Sequence, residues 1–520
     1  MNPQDFLAQL DALGRWITGY WESLPDRPVV SPNKPGDLLR ALPDHPPMEP
    51  GGPTLWEDVR RDLDALIVPG LTHWQHPRFF AFFPANISPP AILGDLLSAG
   101  LGVQGMLWLT SPACTELETR VLDWVREMLG LPVCFDSRQE INGGSMGGGV
   151  IQGTASEATL TAMVAGRHAA RRALAGRGPR PEFTVYASTQ AHSSVLKAAM
   201  IAGIADGPGD AAHARMIGVD GAFAMRPDLL ERALREDLER GLTPCFVTAN
   251  VGTTATTAVD PVAAIAGVLD RVFGPGNPAR PWLHVDAAHA GSAAVCPEFR
   301  SLLAGVERAE SFCFNPHKWL LTNFDLDCFY VRDRRPLVNA MSVTPEYLRN
   351  QASDSGRVID YRDWQVPLGR RFRALKLWLV LRHYGVKGLQ EHIRRTVGLA
   401  RAFVGWVRAD DRFELVCPAP VNLVCFRLKG TDDLNARLME RVNATGRVFL
   451  THAMVPRGAD GAWGGDGAGG AAGGAAGGGV GGGARILRLA VGAPATREAD
   501  VREAWDLLRR GAADLLGLSR

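Results

Sequence analysis

Between residues 150 and 335, short apolar segments rich in β-branched and aromatic residues alternate with segments of helical periodicity. The strand-like segments are FTVYA (183–187), PCFVTA (244–249), WLHVD (282–286), SFCF (311–314) and CFYV (328–331). The helical segments are 156–174, 228–240 and 261–273. Because these strands are apolar on nearly every residue, both of their faces must be covered. The alternation therefore predicts an α/β fold in which helices cover a mostly parallel sheet.

The sequence on either side predicts an N-terminal helical segment and a smaller C-terminal α+β domain. Apolar residues from Leu7 to Trp21 recur at three- and four-residue steps, and a second helix is predicted after Thr54. A third is predicted to begin with a capping box at Thr115 and Glu118. So thin an N-terminal segment has little core of its own, and we expect it to pack on the rest of the chain or on a second subunit. The predicted domains are 1–88, 89–375 and 376–520.

Residues 458–483 contain 15 glycines in 26 residues. A Gly/Ala segment has high chain entropy and little to bury, which predicts a disordered insertion between two strands of the C-terminal domain. The alternative is a phosphate-binding glycine loop. Such a loop needs a strand before it and a helix after it, whereas a strand is predicted to follow here.

Charge and cysteine content exclude several classes of protein. The chain has 56 Lys and Arg against 55 Asp and Glu, which disfavours a nucleic-acid partner. Its eight cysteines include no C-x-x-C pair, which excludes zinc-ribbon and thioredoxin-type sites, and we expect no metal. The N-terminus lacks an apolar signal region, and residues 96–115 are too polar for a membrane span. The expectation is a cytoplasmic protein with reduced thiols.

Polar residues follow four of the predicted strands. His192 follows the first, Thr253 and Thr254 the second, Asp286 ends the third, and Asn315-Pro316-His317-Lys318 follows the fourth. Each of these residues also has a structural interpretation when it is considered alone. A histidine after a strand is usually a structural hydrogen-bond partner, an aspartate at a strand end often forms a turn, and a loop lysine is usually solvated. Since parallel strands present their carboxyl ends at one edge, the four ends are expected to form one site.

A glycine run precedes a predicted helix with small hydroxyl residues at its start. The run consists of Gly143, Gly144, Gly147, Gly148 and Gly149, interrupted by Ser145 and Met146. The predicted helix begins near Ala155 and Ser156. Free N–H groups at a helix N-terminus attract anions, so the pair predicts a phosphate cradle. The alternative is a flexible loop with an ordinary helix cap. No Walker A or strand-linked G-x-G-x-x-G pattern supports a nucleotide.

A lysine, an aspartate, a histidine and a phosphate cradle together match pyridoxal 5'-phosphate. This cofactor bonds to a lysine amine, needs an acidic group at its pyridine nitrogen, and needs an anchor for its phosphate.

Six motifs resemble the pyridoxal-phosphate-dependent aromatic-L-amino-acid decarboxylases, the group II decarboxylases, and in particular plant or algal tryptophan and tyrosine decarboxylases. They are GLTHWQHPRFFAFFPAN (70–86), SPACTELETRVLDW (111–124), GGGVIQGTASEAT (147–159), HVDAAHAGSAAVCPEFR (284–300), SFCFNPHKWLLTNFD (311–325) and DWQVPLGRRFRALKLW (363–378). The resemblance covers nearly the whole chain except the Gly/Ala insertion. It implies the pyridoxal-phosphate-dependent transferase-like fold (fold type I) and a swapped homodimer with residues 1–88 at the interface.

The resemblance also implies roles for individual residues. Lys318 bonds to the cofactor and moves protons, Asp286 pairs with the pyridine nitrogen, and His192 stacks on the ring and contacts substrate. Tyr347, on a mobile loop, is the proton donor that completes amine formation. The implied cofactor-binding residues are Ala155, Ser156, Thr253, Asp286, Ala288, Asn315, His317 and Lys318.

The implied reaction removes carbon dioxide from an aromatic L-amino acid and releases an arylalkylamine. An aldehyde synthase on the same scaffold is the first alternative, because loss of the Tyr347 hydroxyl in this family diverts the product to an aldehyde. A non-catalytic binding protein that keeps the fold is an alternative from another class. It predicts no covalent cofactor at Lys318.

The resemblance places substrate near the interface between subunits. The implied substrate-binding residues are Trp74, Phe82, Pro84, Ala85, Gln104, Met106, His192 and Gly369. Gly369 replaces a serine that accompanies phenolic or imidazole substrates in the family and leaves room for an indole. It therefore favours tryptophan, with tryptamine as product, over tyrosine, phenylalanine and dihydroxyphenylalanine. His289 stands where the family usually has tyrosine, with no assigned consequence.

Overall fold

The N-terminal part of the chain is helical and lies mostly at the surface. The computed structural model describes residues 1–138, 140–141, 145–176, 181–343, 351–354, 358–458, 461–465 and 483–518. The first helices are α1 (Pro3–Ser23), α2 (Asp37–Ala41), α3 (Leu55–Asp62), α4 (Pro89–Leu101) and α5 (Pro112–Leu129). Although α1 is amphipathic, none of its residues, all of which the structure describes, is buried within this single chain. Its apolar side, which includes Leu10, Leu13, Ile17 and Trp21, is thus only partly covered within one chain.

The middle of the chain forms the predicted α/β unit. Its strands are β1 (Glu140–Ile141), β2 (Ser145–Met146), β3 (Gly148–Gln152), β4 (Phe183–Ser188), β5 (Ala214–Ile217), β6 (Thr243–Asn250), β7 (Trp282–Asp286), β8 (Ser311–Phe314) and β9 (Asp327–Val331). Its helices are α6 (Ala155–Ala173), α7 (Ser194–Ile201), α8 (Pro227–Glu239), α9 (Val262–Phe273), α10 (Pro316–Trp319), α11 (Arg334–Met341) and α12 (Gln351–Asp354). All five predicted strands are present within a residue or two of their predicted ends.

Seven of these strands form one mixed sheet in the order β3-β9-β8-β7-β6-β4-β5. The neighbours from β8 to β5 are parallel, and β9 runs antiparallel to both β8 and β3. The connection from β8 to β9 holds only the four-residue α10, too short for the crossover that a parallel pair requires. The fold class is therefore confirmed as α/β with a mostly parallel sheet.

Helices cover both faces of this sheet. One buried cluster joins α6 and α7 to one face, and another joins α5, α8 and α9 to the opposite face. Every residue of β4, β7, β8 and β9 is buried. The near-continuous apolar strands are thus explained by two covered faces.

The capping box predicted at Thr115 and Glu118 is wrong. The α5 helix begins four residues earlier, with Ser111 as its N-cap, where the Ser111 hydroxyl accepts a hydrogen bond from the Cys114 N–H (3.3 Å). Glu118 lies inside the helix and forms a buried ion pair with Arg370 (2.7 Å). The Glu118 carboxylate therefore joins two segments that are far apart in the sequence. The local spacing of residues in the sequence does not predict such a contact.

The C-terminal part is the predicted α+β unit. It consists of α13 (Ala374–Arg408), β10 (Phe413–Leu415), β11 (Leu423–Leu428), α14 (Asp432–Asn443), β12 (Thr451–Pro456), β13 (Gly483–Ala490) and α15 (Glu498–Leu515). The four strands are antiparallel in the order β10-β11-β13-β12 and pack one face on α13, α14 and α15. The boundary predicted at residue 376 falls within α13, and the three-part division stays a prediction.

Most of the Gly/Ala insertion predicted at 458–483 lies outside the described residues. Its described part, 461–465, contacts the large domain: the Val219 N–H donates to the Gly465 carbonyl (2.9 Å), and Trp463 packs on Phe223. Pro456 pairs with Gly483 across β12 and β13, so the insertion leaves and re-enters the sheet at adjacent positions. Among the described helices, none is long and apolar enough to cross a membrane.

Candidate functional site

Four neighbouring parallel strands deliver polar residues to one cavity at the carboxyl edge of the large sheet. His192 follows β4, Thr253 follows β6, Asp286 ends β7, and Lys318 follows β8. The cavity has a volume of about 210 Å³. The predicted residues that line it are Ala155, Ser156, His192, Thr253, Asp286, Ala288, Asn315, His317 and Lys318. The structure thus brings together every residue predicted to bind the cofactor.

Asp286 presents a carboxylate to the cavity from the last position of β7. Its Oδ1 accepts a hydrogen bond from the Ala288 N–H (2.9 Å), which fixes the orientation of the side chain. The other carboxylate oxygen makes no hydrogen bond to a described residue. Asp286 is therefore oriented to accept a hydrogen bond from a protonated nitrogen of a molecule in the cavity.

Lys318 stands on α10, the single helical turn that follows β8. Its Nζ lies 5.6 Å from the centre of the Phe83 ring. Burial lowers the pKa of Lys318, and the negative charge of Asp286 opposes this shift. Because only the neutral amine is nucleophilic, a lowered pKa prepares Lys318 to bond to a carbonyl group.

The geometry around His192 determines which of its nitrogens carries the proton. The Ser194 N–H donates to Nδ1 (3.2 Å), so Nδ1 is an acceptor and the proton of the neutral ring lies on Nε2. Burial lowers the pKa of His192, as does the nearby Lys318, while Asp286 acts in the opposite sense. His192 is thus a neutral ring that can donate through Nε2.

The N-terminus of α6 forms the anion-binding end of the cavity. The Ala155 N–H donates to Asn315 Oδ1 (3.0 Å), whereas neither the N–H nor the hydroxyl of Ser156 hydrogen-bonds to a described residue. Across the cavity, burial lowers the pKa of His317 to about 4, so that side chain is neutral. Open donors at the positive end of a 19-residue helix suit a phosphate group.

The described glycines of the run lie in β3 or directly before it. Gly148 and Gly149 lie in β3, and a Cβ at Gly149 would come within 2.9 Å of the Tyr330 ring. A Cβ at Gly147 would lie 2.0 Å from the Cys134 carbonyl oxygen. These glycines permit close packing of the strand and are not among the residues that line the cavity, and the phosphate cradle predicted for the run stays a prediction. Gly143 and Gly144 lie outside the described residues.

His289 lines the cavity beside Phe83. Its ring stacks on Phe83 (3.8 Å between centroids) and on Trp319 (5.0 Å), and its Nε2 hydrogen-bonds to Asn422 Oδ1 (2.7 Å). Burial lowers the pKa of His289 to about 3, which keeps the ring neutral. His289 therefore links the loop after β7 to the C-terminal domain and supports Phe83 from below.

The predicted substrate residues, apart from His192, do not line the cavity. They fall into two groups elsewhere in the chain. Trp74 and Phe82 are stacked and about half exposed (5.6 Å between centroids), with Pro84 and Ala85 next to them. In the second group, Gln104 Oε1 accepts from the N–H groups of Met106 and Arg370, beside Gly369. Tyr347 lies outside the described residues.

Several residues of the cavity were not predicted. Phe83 is the most prominent, because its ring lies between Lys318 and His289 and is also approached by Arg488 (5.4 Å). The sequence feature that could have identified Phe83 as a cavity residue is its position in the motif FFPAN, directly between Phe82 and Pro84. The other unpredicted lining residues are Thr154, Ser194, Asn250, Gly252, His289 and Phe324, whereas Thr254, which also lines the cavity, was expected there from the end of its strand.

The residues of the cavity fit pyridoxal phosphate. Lys318 supplies the amine, Asp286 the acceptor for the ring nitrogen, and Ser156 the open donors for the phosphate. No cluster of three or more His, Cys, Asp or Glu side chains suited to a metal occurs in the part of the chain that the structure describes.

Comparison with known proteins identifies the family. Residues 35–429 match the model of the pyridoxal-dependent decarboxylase conserved domain. The chain is 43% identical over 510 residues to phenylacetaldehyde synthase of Arabidopsis thaliana, covering 96% of this chain and 94% of that protein. It is 43% identical over 511 residues to tryptophan decarboxylase 2 of Oryza sativa subsp. japonica, covering 96% and 93%.

The fold agrees with a solved structure over almost its full length. The crystal structure of Oryza sativa TDC with PLP and tryptamine superposes with a TM-score of 0.87 at 41% identity, covering 99% of both chains. Family, cavity and fold agree, and the chain belongs to the pyridoxal-dependent decarboxylases, enzymes that use pyridoxal 5'-phosphate.

Proposed function

We propose that this enzyme decarboxylates an aromatic L-amino acid, with tryptophan preferred, and releases the arylalkylamine, which is tryptamine for tryptophan. The observation that carries the proposal is the single cavity in which Lys318, Asp286 and His192 meet beside the α6 N-terminus. Relatives named as a tryptophan decarboxylase and as an aromatic-L-amino-acid decarboxylase support the class of substrate.

Each residue of the cavity has a different role in the proposed reaction. When bound, the cofactor's ring accepts the electron pair left by the departing carboxylate. Lys318 would hold the cofactor through its side-chain amine. Asp286 keeps the ring nitrogen protonated through a charge-assisted hydrogen bond worth about 1.5–3 kcal/mol. His192 donates through Nε2 on the side where substrate enters, and Ser156 and Asn315 orient the phosphate end.

We also propose a homodimer in the cytoplasm, with the site completed at the subunit interface. The partly covered apolar face of α1 supports this assembly, as do four exposed leucines on α4 (Leu93, Leu96, Leu97 and Leu101). The separation of the Trp74 and Gln104 groups from the cavity gives further support, because residues that one chain leaves apart can meet across two. All eight cysteines are free thiols, which suits a reducing compartment.

Product analysis tests the function directly. The purified protein is incubated with tryptophan, tyrosine, phenylalanine and dihydroxyphenylalanine, with and without added pyridoxal phosphate, and the products are identified by mass spectrometry. We expect tryptamine as the main product, and amine formation that depends on the cofactor. An absence of both amine and aldehyde with every amino acid would contradict the proposal.

The second candidate function is aldehyde synthesis, which the phenylacetaldehyde synthase relative favours. We expect Tyr347→Phe to shift the main product from amine to aldehyde, because the variant lacks the hydroxyl proposed to protonate the substrate carbon. Dissolved molecular oxygen is then the oxidant: it is reduced to peroxide, and water releases the nitrogen as ammonia. Amine, aldehyde, ammonia and peroxide are measured together. Unchanged amine production by the variant would show that Tyr347 is not the proton donor. Aldehyde from the unaltered protein would favour the second function.

The position of Gly369 predicts the choice between substrates. A Cβ there would approach the Gln104 Nε2 to 3.8 Å, an ordinary contact, so the chain can accommodate a serine. We expect Gly369→Ser to lower the ratio of kcat/KM for tryptophan over tyrosine about tenfold, because the hydroxymethyl group fills space needed by an indole. Gly405→Ser, on the exposed side of α13 where a Cβ meets nothing within 4 Å, is the control. An unchanged ratio in Gly369→Ser would assign specificity elsewhere.

A further inference from the structure

Asp327, the first residue of β9, is a buried carboxyl group that has no hydrogen-bond partner in the described part of the chain. Its residue is 0% exposed, and neither Oδ1 nor Oδ2 is bonded to any described residue. A buried carboxylate normally collects several donors, because an ion without them loses its hydration uncompensated. An unpartnered carboxyl group in this position therefore favours the neutral, protonated form.

The neighbouring strand offers the matching acceptor. Asp327 is directly opposite Gln152 in the antiparallel pair of β9 and β3, so the two side chains lie on the same face of the sheet. The Gln152 amide nitrogen donates to the Trp364 carbonyl (2.9 Å), which directs its Oε1 elsewhere, and that oxygen has no partner among the described residues. A proton on Asp327 would supply a donor on the face of the sheet where both of these acceptors lie without a partner among the described residues.

Asp327 is also close to the cofactor site. The β8–β9 pairing ends at Phe314 and Cys328, and Asp327 and Asn315 are the residues directly beyond that last pair. The Asn315 side chain binds the α6 N-terminus. The charged and titratable groups around it are Asp286 on β7, Cys313 on β8, Glu157 on α6 and Lys318 on α10. Burial raises the pKa of Asp327 well above its usual value, and the negative charges of Asp286 and Glu157 raise it further.

We propose that Asp327 is a positioning residue that carries a proton in the resting enzyme and sets the upper pH limit for holding the cofactor. Neutral Asp327 leaves Asp286 as the negative group that serves the ring nitrogen. Once Asp327 loses its proton, its charge repels a phosphate at the α6 N-terminus. This last step rests on the anion site of the proposed function, whereas the protonation itself does not.

The stability of the cofactor-free protein tests the protonation. A carboxyl group whose pKa is raised by folding contributes stability that is present below its unfolded pKa, about 3.9, and lost as the pH rises toward its folded pKa. Asp327→Asn is neutral at every pH and keeps a donor for Gln152. We therefore expect the melting temperature of this variant to exceed that of the original protein by an amount that grows roughly 1 °C per pH unit above pH 5.

Asp237→Asn is the matched control. Asp237 is equally buried but accepts a hydrogen bond from the Tyr186 hydroxyl (2.6 Å) and is paired with Arg215. Its amide variant is expected to melt below the original protein at neutral pH. Asp327→Asn behaving in the same way would overturn the proposal, because it would show an ionised, partnered Asp327.

Infrared spectroscopy gives an independent measurement. At pH 7 the original protein without cofactor should show the carbonyl stretch of a protonated buried carboxylic acid, and this band should be missing from Asp327→Asn. Identical spectra of the two proteins would contradict a protonated Asp327.

Cofactor titration tests the functional step. As the pH rises through the titration of Asp327, we expect the original protein to lose affinity for pyridoxal phosphate about tenfold more than Asp327→Asn does. Parallel pH profiles would overturn the phosphate-holding role. Failure of both proteins to bind pyridoxal phosphate at any pH would instead contradict the proposed function, while the melting and infrared results would still decide the protonation.

Discussion

Replacing Lys318 with alanine is expected to abolish covalent attachment of the cofactor and to reduce turnover by at least about 10³-fold. Lys318 is the lysine that lines the cavity, and burial lowers its pKa so that part of it is a neutral nucleophile. Alanine removes the amine without introducing bulk. Because α10 is held through backbone hydrogen bonds, such as that from the Lys318 N–H to the Asn315 carbonyl, the turn should keep its shape.

Two measurements separate loss of chemistry from loss of structure. Borohydride reduction followed by peptide mass spectrometry should label Lys318 in the original protein and no residue in the variant, while circular dichroism should show an unchanged fold. Lys197→Ala, an exposed position on the nearby α7, is the control and should keep both the label and turnover. A stable label on another lysine, or turnover within tenfold of the original, would refute the assignment of Lys318.

The sheet was largely predictable because its strands are locally distinctive. Buried strands such as Trp282–Asp286 have continuous apolar sequences, and a strand of this kind is recognisable without knowledge of its neighbours. Two strands were missed. Gly148–Gln152 is rich in glycine because Tyr330 packs against its backbone, and Ala214–Ile217 is a short edge strand with a charged residue, Arg215, in its middle. Both depend on tertiary contacts that override local propensity.

The cavity was predictable for a different reason. The carboxyl ends of parallel strands share one edge, so recognising four strands was sufficient to place His192, Thr253, Asp286 and Lys318 together. The spacing of residues along the sequence does not predict side-chain contacts between segments that are far apart in the chain. Phe83 and His289 meet by stacking across about two hundred residues of chain, and the Glu118–Arg370 ion pair likewise joins separate segments. Such contacts follow from the packing of the whole fold.

Replacing Asp286 with asparagine is expected to lower turnover about 10²–10⁴-fold while leaving the cofactor attached at Lys318. The amide oxygen can still accept the hydrogen bond from the Ala288 N–H, so the local fold should be retained. A neutral amide, however, does not stabilise a proton on the ring nitrogen, and an unprotonated ring withdraws electrons less effectively. The loss should therefore appear in kcat much more than in cofactor binding.

The comparison of Asp286→Asn with Lys318→Ala distinguishes the two roles. Borohydride labelling should remain complete in Asp286→Asn, and its absorption spectrum should shift because the charge on the ring has changed. Asp228→Asn, an exposed aspartate at the start of α8, is the control and should match the original protein in label, spectrum and turnover. Full turnover of Asp286→Asn would show that its carboxylate does not face the ring nitrogen. Complete loss of the label would instead mean that Asp286 is needed to hold the cofactor, not to activate it.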